Sequence, residues 1–236
     1  MGKKVEFKVG GDILRGSLFV PKGKGPFPGV VFYHGRGSTR ARYLPMAEEL
    51  SKKGFISLAF DFRGCGESDG IFENQTHGMG VEDARAGLEF LLSQNIDKTR
   101  VGIQGTSFGG YVAGMLLNEV DFIKSMVLRV PASYSDVLLN ATIKTFQEVG
   151  RFSKKENWLN SSSYIGISKF TGDLLVIKSK NDEVVSAEAV DKYFEDAKAA
   201  RNRKMVLQDA KHSLRDDPKA IEEFYRLTEE WFLKTL

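Results

Sequence analysis

The sequence has very few of the residues that build disulfides or metal sites. Cys65 is the only cysteine among 236 residues, so no intrachain disulfide can form. The three histidines, His34, His77 and His212, form no cluster with cysteine at metal-ligand spacing. We therefore expect a protein that works without a metal ion or any other cofactor.

Long apolar segments are also missing. No apolar run approaches the roughly 20 residues that a helix needs to cross a bilayer. Residues 1–7 lack the apolar region of a secretory signal peptide. These absences predict a soluble, cytoplasmic protein with no membrane partner.

Neither sign of charge is in large excess. The chain has 34 lysines and arginines against 31 aspartates and glutamates, a formal net charge of +3. The densest basic stretches, at 22–24, 154–155 and 201–204, are short or interrupted. A nucleic-acid interface needs a continuous basic patch. The expected partner is therefore a small molecule and not a nucleic acid.

What the sequence does contain is a regular alternation of short apolar runs and amphipathic helical patterns. Its 42% hydrophobic and 28% charged residues are typical of a globular domain. The patterns predict strands at 5–9, 13–20, 29–33, 55–60, 101–103, 125–130, 174–177 and 205–207, and helices at 43–53, 81–94, 108–117, 187–197 and 218–236. This order predicts an α/β fold, in which helices cover both faces of a mostly parallel sheet.

One segment, residues 131–172, is too long for a plain connection between two strands. We predict that it forms a small, partly helical cap inserted into a single domain that spans residues 1–236. Its aromatic residues could equally line a substrate pocket or form the core of the cap; they are Tyr134, Phe146, Phe152, Trp158 and Tyr164.

The pattern Gly-x-Ser-x-Gly occurs twice, at residues 66–70 and 105–109, so the motif alone is a weak signal. Ser107 follows a predicted strand directly and precedes a predicted helix, which is the setting of a nucleophile elbow. Ser68 lies in a loop rich in glycine and acidic residues. The local context therefore favours Ser107 as a nucleophile.

A serine hydroxyl needs a general base at neutral pH, and His212 is the only histidine after Ser107 in the chain. The carboxylate that orients such a histidine is expected in a loop after a late strand. Asp182 occupies that position. Glu183 and Asp136 stay open as alternatives, and Asp209 is expected at the surface.

A tetrahedral intermediate also needs backbone donors for its oxyanion. The amide of Phe108, directly after the proposed nucleophile, is one expected donor. The glycine-rich turn at 34–37 follows a predicted strand, and the amide of Arg36 is the other expected donor. The sequence leaves open whether the Arg36 side chain faces solvent or substrate.

Taken together, residues 34–37, 61–70 and 105–109, with Asp182 and His212, resemble the serine esterases of the α/β-hydrolase fold, in the order usual for that superfamily. The segment after Gly64 looks most like the cinnamoyl or feruloyl esterases and related small carboxylesterases. In that family the stretch equivalent to 61–70 is a structural loop, which argues further against Ser68.

The resemblance implies cleavage of carboxylic esters, including aryl or cinnamoyl esters, through an acyl-enzyme intermediate. Serine at the elbow argues against dehalogenases, which place aspartate there, and dienelactone hydrolases, which place cysteine there. A thioesterase and a peptidase-like amide hydrolase remain as alternatives. A non-catalytic binding protein of the same fold is the last alternative, although such proteins usually lose a catalytic residue or a glycine of the nucleophile elbow.

Overall fold

The computed structural model describes residues 2–145 and 155–236, with one eight-stranded sheet at the centre. The strands are β1 (Lys3–Val9), β2 (Asp12–Phe19), β3 (Phe27–Tyr33), β4 (Ile56–Phe60), β5 (Ile96–Thr106), β6 (Ser125–Arg129), β7 (Asp173–Asn181) and β8 (Asn202–Lys211). Their order across the sheet is β1-β2-β4-β3-β5-β6-β7-β8. The β1–β2 and β2–β4 pairs are antiparallel, whereas all pairs from β4 to β8 are parallel.

Helices cover both faces of the sheet. They are α1 (Leu44–Lys52), α2 (His77–Leu92), α3 (Phe108–Leu116), α4 (Ser162–Lys169), α5 (Ala187–Asp196) and α6 (Pro218–Thr235). Within the two described ranges, every helix is too short or too polar to traverse a lipid bilayer.

Two hydrophobic cores lie on opposite faces because successive side chains of a strand point to opposite sides. In β6, Met126 belongs to the core that contains Tyr193 of α5, and the next residue, Val127, belongs to the core that contains Trp231 of α6. Both faces of each central strand are therefore buried. This explains why those strands read as continuous apolar runs in the sequence.

The parallel arrangement brings the carboxyl ends of β5 to β8 to one edge of the sheet. β5 ends at Thr106, β6 at Arg129, β7 at Asn181 and β8 at Lys211. The segments that follow these strands are therefore neighbours in space although they are far apart in sequence. Open α/β sheets bind their ligands at this edge.

The predicted α/β-hydrolase fold is confirmed: a mostly parallel sheet with helices on both faces. The main differences lie in the bounds of elements. Helix α2 begins at His77, four residues before the apolar periodicity indicated, because the side chain of Thr76 caps it by accepting from the amide of Met79. Strands β7 and β8 also extend beyond their apolar cores, since pairing continues to Asn181 and Lys211.

The described parts of residues 131–172 pack tightly onto the domain. A Cβ added to Gly166 in α4 would lie 2.0 Å from the main-chain oxygen of Gly114 in α3, so these helices are in direct contact. Trp158 and Tyr164 are buried in the same core as the sheet. Phe146 and Phe152 lie outside the described residues, and the cap as a whole stays a prediction.

Candidate active site

Ser107 occupies a sharp turn between β5 and α3. Its backbone has φ 53° and ψ −114°, a left-handed conformation that is uncommon for any residue other than glycine. Its amide donates to the main-chain oxygen of Arg129 at 3.0 Å, and its own carbonyl accepts from Gly110 at 2.9 Å. Strain of this kind is often found at functional sites because the surrounding hydrogen bonds hold it in place.

The two glycines of the motif are required by close backbone contacts. A Cβ on Gly109 would lie 1.9 Å from the carbonyl oxygen of Tyr33, and a Cβ on Gly105 would lie 2.5 Å from the carbonyl oxygen of Gly109. Any side chain at either position would push the helix away from the sheet. The Gly-x-Ser-x-Gly spacing is thus explained by the packing of α3 against β3 and β5.

The loops after β7 and β8 bring Asp182 and His212 to this turn. The Nε2 atom of His212 lies 3.2 Å from the Oγ of Ser107. The Nδ1 atom lies 2.8 Å from Oδ2 and 3.1 Å from Oδ1 of Asp182. These distances allow the imidazole to donate its Nδ1 proton to the carboxylate and to accept a proton from the serine.

Asp182 is held in place by more than the histidine. Its Oδ1 accepts from the amides of Val184 and Val185, each at 2.8 Å. Burial raises the pKa of its carboxyl, but the hydrogen bond and charge of His212 and the two amides outweigh burial, so the pKa lies below its usual value. The carboxylate is therefore charged at neutral pH and has a fixed orientation.

The alternative residues lie elsewhere. Glu183 and Asp209 are exposed, and the carboxylate of Asp136 accepts from the amide and hydroxyl of Ser162 at the beginning of α4. The hydroxyl of Ser68 donates to the carbonyl oxygen of Asp61 at 2.6 Å. None of these four side chains contacts Ser107 or His212 among the hydrogen bonds of the described residues.

The expected oxyanion turn lies against the serine. A Cβ on Gly35 would be 3.5 Å from the Cβ of Ser107, which puts the turn beside the nucleophile. The guanidinium of Arg36 lies over the ring of Phe108 at 5.0 Å and over the ring of Tyr134 at 4.7 Å from each ring centre. These cation–π contacts connect the two residues whose amides are the expected donors.

His34 and His77 are both buried and have structural partners. The amide of Phe62 donates to Nε2 of His34 at 3.0 Å, and Nδ1 of His77 lies 2.9 Å from the carbonyl oxygen of Leu138. Burial lowers the pKa of His77 to about 3, with the nearby charge of Arg36 acting in the same direction. Burial also lowers the pKa of His34 well below its usual value. Both rings are therefore neutral at physiological pH.

Sequence reasoning missed the role of Arg129, which ends β6 and is only 2% exposed. Its guanidinium donates to the carbonyl oxygens of Lys211 and His212 at 3.0 and 2.9 Å and to the hydroxyl of Ser179 at 3.0 Å. Burial lowers its pKa to about 10, so it keeps its charge at neutral pH. An arginine directly after the apolar run at 126–128 was the available signal.

A cavity of about 810 Å³ opens beside Ser107 and His212. Its wall includes the glycine-rich turn at 35–37, the residues preceding α1, and one face of α6. The apolar and aromatic lining residues are Tyr43, Phe72, Ala132, Tyr134, Val184, Val185, Leu214, Ile221, Phe224 and Tyr225. The volume is within the range of small-molecule sites. Of the aromatic residues in 131–172, Tyr134 thus lines the cavity.

The comparisons with known sequences agree with this geometry. The model of the prolyl oligopeptidase family matches residues 44–236. An uncharacterized protein of Escherichia coli, from the traX-finO intergenic region, is 27% identical over 167 residues. That match covers 70% of this chain and 58% of the relative, so the chain spans little more than half of that protein's length.

Solved structures extend the similarity over the whole chain. The Pyrococcus furiosus esterase Pf2001 has a TM-score of 0.71 and 25% identity, and the match covers 100% of this chain and 93% of the esterase. Est1E from Butyrivibrio proteoclasticus, solved with ferulic acid bound, has a TM-score of 0.74 over 98% of both chains. Its identity is 20%, so it supports the fold alone.

Proposed function

Because the chain belongs to the prolyl oligopeptidase family, we propose that it is a serine hydrolase that cleaves carboxylic esters through an acyl-enzyme intermediate. Ser107 is the nucleophile, His212 the general base and Asp182 the residue that orients the histidine. The amides of Arg36 and Phe108 form the oxyanion hole.

One observation carries this proposal: the continuous row of contacts from Ser107 through His212 to Asp182, built on a strained turn. The hydroxyl and imidazole are 3.2 Å apart, and the imidazole and carboxylate 2.8 Å. Nucleophile and base lie at the edge of the hydrogen-bond range, as is common before substrate binds. The Asp182 carboxylate selects the tautomer whose Nε2 can accept a proton.

In the acylation step the Oγ of Ser107 bonds to the ester carbonyl carbon while Nε2 of His212 takes the hydroxyl proton. The carbonyl oxygen becomes an oxyanion that the two backbone amides stabilise. The C–O bond to the alcohol then breaks, and the imidazolium returns the proton to that leaving oxygen. Water attacks the acyl-enzyme by the same route and releases the acid.

The preference for esters draws support from the similarity to Pf2001, an esterase that aligns along almost all of both chains. The aromatic side chains of Phe72, Tyr134 and Phe224 in the cavity wall suit an aryl or cinnamoyl ester. The name of the family keeps amide hydrolysis as a second candidate. Both reactions use the same acyl-enzyme chemistry, and they differ in the group that leaves.

The test combines covalent labelling with a substrate panel. A fluorophosphonate should label the wild-type chain once, and Ser107→Ala should abolish both labelling and hydrolysis of p-nitrophenyl butyrate. Ser68→Ala is the matched control and should keep most of the activity. Comparison of the aryl ester with an acyl-CoA and an aminoacyl anilide tests the leaving group. Labelling that persists in Ser107→Ala would refute the proposed nucleophile.

A further inference from the structure

The charged side chains that line the cavity beside Ser107 are unusual in their sign. Apart from His212, they are all arginines: Arg36, Arg42, Arg129 and Arg215. Neither aspartate nor glutamate is among the described residues that form this wall. Because the whole chain has nearly balanced charge, with 34 basic and 31 acidic residues, the positive lining is a local property of the site.

Most arginines elsewhere in the structure are neutralised by a neighbouring carboxylate. Seven form ion pairs with aspartate or glutamate: Arg15, Arg40, Arg63, Arg85, Arg100, Arg201 and Arg226. In contrast, within residues 2–145 and 155–236, no carboxylate lies within ion-pair distance of Arg42, Arg129 or Arg215. Arg42, Arg129 and Arg215 thus bring positive charge to the cavity wall outside these ion pairs, and the carboxylate of Asp182, which contacts His212, acts on Arg129 through its charge.

Arg42 is well placed to meet a ligand. It lies in the short 3₁₀ turn before α1, and its carbonyl oxygen accepts from the hydroxyl of Tyr225 in α6, which holds its backbone against the cavity wall. Arg42 is half-buried, and its charge is close enough to Tyr225 to oppose the rise that burial causes in the pKa of that hydroxyl. A half-buried cation without a counter-ion gains from an anionic partner.

Two other arginines add positive charge at different depths of the cavity. Arg215 is exposed in the segment after His212, at the mouth of the cavity, and Arg129 lies at its base with its donors directed to backbone carbonyls and Ser179. Leu214, Ile221 and Phe224 provide an apolar part of the same wall. The arrangement suits a ligand with a short hydrocarbon part and an anionic end.

We propose that this cavity selects esters carrying a second, anionic group, a carboxylate or a phosphate, which Arg42 and Arg215 bind while the ester carbonyl lies at Ser107. The inference rests on the proposed function, because it concerns the substrate of the same site. Guanidinium forms paired, charge-assisted hydrogen bonds with either anion. A cationic substrate would be repelled by the same field.

The experiment compares matched esters that differ in one charge. On the acyl side, mono-4-nitrophenyl adipate is compared with its methyl ester. On the alcohol side, the butyrate ester of 4-hydroxybenzoate is compared with that of methyl 4-hydroxybenzoate, and the butyrate ester of 4-hydroxyphenyl phosphate is compared with that of its neutral dimethyl phosphate triester. We expect kcat/KM of wild type to be about tenfold higher for at least one anionic ester than for its neutral partner.

The double substitution Arg42→Gln/Arg215→Gln should lower this anionic-to-neutral ratio about tenfold, and added salt should lower it in wild type. Comparing the ratio between variants cancels the intrinsic reactivity of the esters. Arg100→Gln removes one positive charge outside the cavity wall, at an ion pair with Asp97, and should keep the wild-type ratio. Arg215→Gln alone, at an exposed position, repeats the test if the double variant unfolds.

The outcomes separate the two proposals. Ser107-dependent hydrolysis with equal rates for both members of every pair, or a ratio that is unchanged in the arginine variants, would overturn the anionic-substrate inference and leave the hydrolase proposal intact. No hydrolysis of any ester together with no fluorophosphonate labelling would overturn the proposed function itself. A preference for carboxylate over phosphate, or the reverse, would identify the anion.

Discussion

Replacing Asp182 with asparagine changes one atom and should disable the site through the tautomer of His212. In the structure, Oδ1 accepts from the amides of Val184 and Val185, and both carboxylate oxygens face Nδ1 of the imidazole. The asparagine oxygen must stay where the two amides point. Its NH₂ group therefore faces Nδ1 and requires that nitrogen to accept, which moves the ring proton to Nε2.

A proton on Nε2 leaves the imidazole unable to accept the hydroxyl proton of Ser107 across the 3.2 Å that separates them. In serine proteases the equivalent change lowers kcat by about four orders of magnitude. Each factor of ten corresponds to about 1.4 kcal/mol, so the loss of transition-state stabilisation is about 5 kcal/mol. We expect a loss of this size for Asp182→Asn, with little change in KM.

The assay is kcat and KM for p-nitrophenyl butyrate, with circular dichroism to verify that the variant is folded. Asp136→Asn and Glu183→Gln are the controls: the first alters a contact with Ser162 at the beginning of α4, and the second alters an exposed side chain. A folded Asp182→Asn enzyme with more than about a tenth of wild-type kcat would refute the tautomer argument. A severe loss in Asp136→Asn would indicate a different acid.

The remaining predictions concern the fold around the site. Gly109→Ala should lower the free energy of unfolding by about 3 kcal/mol and abolish activity, because the added Cβ would collide with a backbone oxygen. Gly11→Ala, where the added Cβ meets open space, should be near neutral. Similar melting temperatures for the two variants would contradict this effect of packing. Burial lowers the pKa of His77 to about 3, so unfolding takes up a proton between that pH and about 6.5. The free energy of unfolding should therefore fall as the pH drops through this window, and His77 contributes about 1.4 kcal/mol per pH unit to that slope. His77→Gln should lower the slope by this amount in urea denaturation at several pH values, while His34, whose pKa burial also lowers, keeps its own contribution; an unchanged slope would show that His77 does not contribute. Arg40→Met should cost about 3–5 kcal/mol in urea denaturation because it leaves the buried carboxylate of Asp61 without its cation, and a loss below about 1 kcal/mol would show that the pair contributes little.

The turn at Ser107 illustrates what local sequence can predict. A buried strand, a glycine-flanked serine and a helix lie within a few residues, and the turn that joins them depends mainly on backbone sterics. The structure adds the reason for Gly109: a Cβ at that position would lie 1.9 Å from the carbonyl oxygen of Tyr33. That contact comes from β3, which is far away in the chain, although its consequence is visible in the local motif.

The sequence by itself predicted the alternation of strands and helices, the mostly parallel sheet, and Ser107, Asp182 and His212 as the proposed catalytic residues, with Glu183 and Asp136 left open as alternative acids. These follow from periodicity, turn chemistry and the position of polar residues after buried strands, all of which are local signals. Only the tertiary structure decided which side chains surround Ser107, His212 and Asp182. Arg42 and Arg129 lie in different elements, and the sheet order and loop packing bring them to one cavity. The sign of the charge at a site depends on which arginines are paired with carboxylates, and several such pairs, for example Arg85 with Glu119, join residues that are far apart in sequence.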